Sequence, residues 1–364
     1  MVRDWFSAIL SGRRPSWPFA DDVTIESILD AANTEGVIAL LHDRISAADP
    51  SSGIPVSFQK QIAQRAREKA QQCLMREAEC RRLLMRLEQT GIQVLLLKGS
   101  ALAYWAYPSA HLRDCSDIDL LLFSYAETQK AISLLQTLQY SLRDTALPGN
   151  LVSFEQTCVR DSRIGAGLEI DLHWRLSSSP IFAYQFSLEE LNSSAIPLPK
   201  LGTYARGLSP MHAFFNACMH RIQNMADGTE GRLKWLYDLH LLSSQFKESD
   251  WQTMAKTAIE RQLSGVCRDG LQAAQREFNT VVPKNISDKL AHAAKLERMQ
   301  ISKMHRWFYI QRMSFLAFPT VRLRMRWLRQ RLLPNTAYLR ARHGGENTAG
   351  ILLRRVKAGW QRLF

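Results

Sequence analysis

The stretch LLLKGSALAYWAYPSAHLRDCSDIDLLLF, residues 95–123, decides how the rest of the chain is read. Its two runs of large apolar residues have the length and character of buried strands, predicted over 92–97 and 118–123. Each carries polar residues at one end. Lys98-Gly99-Ser100 follows the first run, and Asp117-x-Asp119 opens the second. Between them the pattern predicts a short helix over 101–107 and a loop at Pro108. Residues i and i+2 of a strand share a face about 6.6 Å apart, so Asp117 and Asp119 project the same way. Two ionised carboxylates that close repel unless a cation lies between them or one keeps a proton. With oxygen donors and no nearby His or Cys pair, the cation expected is a hard one, Mg²⁺ first and Mn²⁺ as the alternative.

Downstream, NLVSFEQTCVR (150–160) and GLEIDLHWRL (167–176) read as two more strands. In the second, Leu168, Ile170 and Leu172 alternate with Glu169, Asp171 and His173. Asp171 is the candidate third carboxylate, with Glu169 as the fallback, and three carboxylates on adjacent strands suit two-metal phosphoryl transfer. His173 shares that face, as a group touching nucleotide or acceptor or as a hydrogen-bonded structural histidine. Gly99 lets the backbone approach a ligand, and the helix that follows offers unpaired amides to phosphate. Ser100 adds its hydroxyl or simply caps the helix. Lys98 and Arg113 flank this phosphate site as neutralising cations, or else pair with a local acid such as Asp114. His220 and Asp238 are expected to form a buried polar pair joining two helices, and Trp105, Trp174 and Trp235 to serve packing.

Outside this segment the periodicity is helical. One or two helices follow the ADD turn, a long one is predicted over 57–90 up to Gly91, and more follow over 126–139, 210–224, 231–246 and on to about 308. The fold class expected is α+β: a small mixed sheet (91–205) flanked by N-terminal helices (1–90) and a C-terminal helical domain (206–310), then a basic tail (311–364). The tail carries the charge. Residues 301–364 hold 14 Lys and Arg against one acid, which leaves 33 of each sign in residues 1–300, so the formal net charge of +13 belongs to the tail. In TVRLRMRWLRQRLLP (320–334) five arginines alternate with Leu, Met and Trp, a pattern for nucleic acid or an anionic membrane surface, or for a helix docked on an acidic face of its own protein. Six cysteines without C-x-x-C spacing, a short apolar run at the start and no stretch of about 18 apolar residues predict a reduced, cytoplasmic protein, at most peripheral to the inner face of the membrane.

Lys98-Gly99-Ser100, Arg113, SDIDLLL and EIDLHWRL together resemble the nucleotidyltransferase superfamily related to DNA polymerase β, in particular its largely uncharacterised bacterial family. There an LLKG strand is followed by R…DIDLL and later by DLHW. The likeness is strong over 86–176 and looser into ACMHR and LKWLYDLHLL. It implies a palm-like core, two Mg²⁺ ions on Asp117, Asp119 and Asp171, nucleotide phosphates at Gly99 and Ser100, and transfer of a nucleoside monophosphate from an NTP such as ATP with release of pyrophosphate. The acceptor it leaves open: a small molecule, a glycan-linked group or a peptide.

Two other classes compete. A metal-dependent glycosyltransferase also places Asp-x-Asp after an apolar strand, but its first hundred residues would alternate strand and helix, whereas here the first 90 read as helical. The other is a non-catalytic nucleotide-binding protein or a partner-binding relic whose basic tail does the work; three acids on a buried sheet, costly without a job, argue against the relic.

Overall fold

The computed structural model describes residues 1–19, 23–47, 53–143, 149–161, 167–334 and 338–339. Its sheet holds seven strands: β1 (Val94–Leu96), β2 (Ile118–Leu122), β3 (Ser141–Leu142), β4 (Glu155–Arg160), β5 (Leu168–His173), β6 (Ile196–Pro197) and β7 (Arg206–Gly207). In space the order is β3-β4-β5-β2-β1-β7-β6. β2 is parallel to β5 and β1 to β7, while the remaining pairs are antiparallel. The mixed α+β class expected from the sequence is the one observed. The two-residue strands β3, β6 and β7 were not anticipated, because so short a bridge carries no periodicity.

Alternation sorts the strand side chains onto two faces. Leu96, Ile118, Leu120, Leu122, Ile170 and Leu172 are buried together with Leu83, Leu84 and Leu87 of the Val56–Gln89 helix and Ala131 and Leu135 of the Tyr125–Thr137 helix. The opposite face carries Asp119 and Asp171, then gives way to Leu95, Leu97 and Leu121, which join a larger cluster with Phe214, Phe215, Leu236 and Leu239. Each fully buried aliphatic side chain contributes about 2 kcal/mol. Six of them on one face outweigh the few kcal/mol that a partly desolvated carboxylate costs on the other.

Helix signals are equally local. The Val56–Gln89 helix stops before Gly91, which takes φ +70°, and it spans both clusters, with Phe58 and Ile62 in the larger and Leu83 and Leu87 in the smaller. Ser124 caps the next helix by accepting from the Glu127 amide, and the Glu127 carboxylate accepts from the Phe123 amide one residue before the cap. The helix expected over 101–107 begins earlier, as Lys98–Trp105. Lys98 takes φ +46°, a left-handed conformation that costs a non-glycine residue about 1–2 kcal/mol.

The basic segment forms a helix, Val321–Leu332, docked through Trp327 against Leu151, Phe154, Trp174 and Phe318. That dock is apolar, not the acidic one entertained from sequence. Arg324 donates to the carbonyls of Phe318 (3.0 Å) and Leu316 (3.3 Å), while Arg322, Arg326 and Arg329 are exposed. Tail residues 340–364 lie outside the described residues.

Candidate active site

β2 and β5 bring the acids together. Their parallel register sets Asp119 directly beside Asp171 and Leu121 beside His173. Ligand-capable atoms of Asp119, Asp171 and His173 lie within 4.8 Å of one another. β4 adds two residues that sequence reasoning passed over, since Thr157 registers with Asp171 and Glu155 with His173. The Thr157 hydroxyl donates to Asp171 Oδ1 at 2.6 Å. Both had been placed on a strand, but which strand it would pair with was not legible.

Asp119 is the hub. Only 2% exposed, it receives Lys98 Nζ at 2.6 Å and meets His173 Nε2 at 3.1 Å on the same oxygen. Burial alone would raise its pKa, but Lys98 and His173 outweigh that and hold the carboxyl well below its usual range. The same contest keeps Lys98 charged: burial lowers its pKa, while Asp119, Glu155 and Asp117 raise it further. Asp171 goes the other way, to about 6, through burial and the nearby Glu155 and Asp119 carboxylates. Asp117 is raised as well, by burial and then by Asp119. His173, 1% exposed, leaves Nδ1 without a hydrogen bond, its nearest carboxylate being Glu155 Oε2 at 3.5 Å.

The remaining candidates fall into place around this hub. Ser100 is not the helix cap; its hydroxyl donates to the Asp117 carbonyl (3.2 Å) and accepts from the Asp119 amide (3.0 Å), bracing the Asp-x-Asp backbone. A Cβ on Gly99 would sit 2.5 Å from Cys115 Sγ and 3.1 Å from Arg113, so the protein's own packing demands glycine there. Arg113 pairs not with Asp114 but, bidentately, with Asp238, at 2.7 Å for both bonds, and gives its third nitrogen to the Asp114 carbonyl. Tyr107 also donates to Asp238, at 2.7 Å. The expected His220–Asp238 pair therefore does not form; His220 stacks edge-on against Trp235 with ring centres 4.7 Å apart. Glu169 is engaged by Arg143.

A cavity of about 400 Å³ opens beside the acids, bounded by Lys98, Gly99, Asp117 and Asp119 on the sheet side and by Asn216, His220, Lys234 and Trp235 on the helices Pro210–Gln223 and Leu233–Ser244. Trp105 and Trp235 both line it, although sequence reasoning assigned them to packing; Trp174 is buried as expected. Asn216, only 4% exposed, lines it too, and the Trp105 indole N–H is buried without a hydrogen-bond partner among the described residues. Burial, then the cations Lys98 and Arg113, push His220 far below its ordinary pKa, so it is neutral at pH 7. The lining thus mixes cations and acids on the sheet side with aromatic and apolar residues on the helix side, as small-molecule sites do.

A family model described as an uncharacterised nucleotidyltransferase matches residues 21–279, well over half of the chain. The chain belongs to this nucleotidyltransferase family. That span contains the whole sheet, the acids and every cavity residue named above. No curated protein matches the sequence. No helix among the described residues is long and apolar enough to cross a membrane.

The donor set suits the divalent ion such transferases use. Two carboxylates and an imidazole converge within 4.8 Å, Asp171 is poised to exchange its proton for a cation, and the buried Nδ1 of His173 is unsatisfied. Asp117 stands outside this convergence, one step along the face, on the cavity wall.

Proposed function

We propose that the protein is a Mg²⁺-dependent nucleotidyltransferase of the polymerase β-like type, moving a nucleoside monophosphate from an NTP to an acceptor hydroxyl. The observation that carries this reading is the register pairing of Asp171 with Asp119, which itself lines a cavity together with Asp117, Lys98 and Gly99. The family match favours it over a glycosyltransferase or a non-catalytic nucleotide binder.

In this reading the triphosphate lies at the first turn of the Lys98–Trp105 helix, whose amides lack intrahelical acceptors. Lys98, now on Asp119, turns toward the phosphates as they arrive. The base enters between Trp105 and Trp235, where the Asn216 carboxamide gives it a hydrogen-bonding edge. Asp117, Asp119 and Asp171 would hold Mg²⁺ or Mn²⁺, two ions in all, with His173 as a further ligand or brace; a metal bound there would neutralise phosphate charge and acidify the acceptor hydroxyl. The acceptor oxygen gives its proton to the Asp171 carboxylate and bonds to the α-phosphorus, the bridge to the β-phosphate breaks, and its electron pair leaves with pyrophosphate.

Calorimetric titration of ATP, GTP, CTP and UTP, with and without Mg²⁺, tests the reading. Binding that requires Mg²⁺ and vanishes in Asp117→Asn/Asp119→Asn is expected. Equal binding by wild type and variant would sink the site.

The exposed face of the Val321–Leu332 helix favours a second element of the reading. Val321, Met325 and Leu332 are 69%, 54% and 60% exposed, between the exposed Arg322, Arg326 and Arg329. Aliphatic residues among arginines suit an anionic membrane surface better than nucleic acid, because they enter the headgroup boundary while the guanidinium groups meet lipid phosphate. The enzyme would then work on the cytoplasmic face of a membrane.

A further inference from the structure

A second cavity, of about 300 Å³, shares Cys115, Ser116 and Lys234 with the first and extends to Lys69, Arg76 and Glu169. We propose that it is the acceptor subsite and that it takes a hydroxyl-bearing acceptor that carries a phosphate. This rests on the nucleotidyl-transfer reading above and names the substrate class it left open.

Charge is the first argument. The carboxylates that line this cavity are already neutralised, Asp114 by Lys69 at 3.2 Å and Glu169 by Arg143. Arg76 and Lys234 have no ion-pair partner among the described residues. Lys234 lies in the first turn of the Leu233–Ser244 helix with its stem packed over Gly36, an arrangement that fixes the ammonium at the junction of the two cavities. Burial and the neighbouring Arg113 lower its pKa, so an incoming anion relieves a cation held there at a cost. A guanidinium fork beside an ammonium matches phosphate oxygens in geometry and charge.

Position is the second. In-line displacement puts the attacking oxygen and the leaving pyrophosphate on opposite sides of the α-phosphorus. Asp117 sits at the wall of the main cavity next to Ser116, which both cavities share. With the nucleotide in the first cavity, a hydroxyl presented from the second approaches past Asp117, and the acceptor's own phosphate rests on Arg76.

Arg76 is half-exposed, so its reaction with phenylglyoxal, mapped by peptide mass spectrometry on the full-length chain, reports the subsite directly. Millimolar inorganic phosphate, and glycerol 3-phosphate as a model acceptor, should slow the modification several-fold, with or without bound Mg²⁺ and a non-hydrolysable ATP analogue; acetate and glycerol should not. Arg76→Met should leave nucleotide binding unchanged. No shielding by phosphate overturns the proposal. Shielding that the ATP analogue competes away also overturns it, because the cations would then belong to the donor's phosphates. Shielding by acetate as strong as by phosphate replaces a phosphorylated acceptor with a carboxylate one. If calorimetry shows no nucleotide binding while phosphate still shields, the reading of the main cavity fails and the anion site stands.

Discussion

Asp119 and Asp171 are register partners on β2 and β5, yet they hold protons in opposite ways: Lys98 and His173 keep Asp119 ionised, while burial and two neighbouring carboxylates push Asp171 up to about 6. One acid is satisfied by the protein; the other is held at a disadvantage when charged.

That difference separates two conservative substitutions. Asp171→Asn removes a charge the metal-free fold tolerates poorly, and the Thr157 hydroxyl still finds an oxygen. By the linkage between pKa and stability it should stabilise the metal-free protein by about 1–3 kcal/mol at pH 7.5. Asp119→Asn strips the half-buried Lys98 of its partner and should destabilise by about 2–4 kcal/mol. Scanning calorimetry in a chelator reads both; a lower melting temperature for Asp171→Asn would contradict the assignment.

The pH dependence has a definite sign. The folded Asp171 carboxyl binds its proton more tightly than the unfolded one, so its contribution to metal-free stability is lost as pH rises from about 4 to about 6 and stays lost above that. Metal binding must expel the same proton. Mn²⁺ affinity should therefore weaken about tenfold per pH unit below 6, and titration in buffers of different ionisation enthalpy should show close to one proton released at pH 5 and little at pH 8. A pH-independent affinity between 5 and 7 would remove Asp171 from the ligand set.

Arg113 tests whether a cation at the cavity wall serves the nucleotide or the fold. Its fork is occupied by Asp238, and both side chains are buried. Arg113→Met should cost about 3–5 kcal/mol by stranding Asp238, with much of that recovered in Arg113→Met/Asp238→Leu. Urea unfolding supplies the numbers. An unchanged midpoint with a large loss of ATP affinity would favour the phosphate role instead.

Gly99→Ala should destabilise by about 1–3 kcal/mol through the clash with Cys115 Sγ. Adding Cys115→Ala, which removes the sulfur, should restore part of it in the same unfolding assay. A single variant as stable as wild type would contradict the close approach of Gly99 to Cys115 Sγ.

For the tail helix, replacing Arg322, Arg326 and Arg329 with Gln should leave the melting temperature within a degree or two, since none of the three packs. Binding to phosphatidylglycerol vesicles should fall about 100-fold or more, at about 1 kcal/mol per lost charge near the surface. Vesicle flotation decides it; undiminished binding would end the membrane assignment.

Much of the site is legible in the sequence. Alternation in EIDLHWRL separates Asp171 and His173 from Ile170 and Leu172, and the strand–helix–strand order around Lys98 and Asp119 needs only local periodicity. What escaped was everything set by pairing over long distance. Glu155 and Thr157 lie in a recognisable strand, but nothing in FEQTCVR says that it adds beside β5. Asp238 is 125 positions from Arg113, and no helical pattern hints that they share two hydrogen bonds. Lys234 looks like any surface lysine next to a tryptophan until Gly36 and the turn at Cys115 close around it.

The sequence by itself determined which residues could be catalytic: a strand's period of two and a glycine after an apolar run are properties of neighbouring residues. The tertiary structure alone decided which acids meet and how strongly each holds its proton. Register comes from strands far apart in the chain, and desolvation from the helices that cover the sheet. The same two influences made Gly99 a packing requirement and turned Ser100 from a cap into a brace.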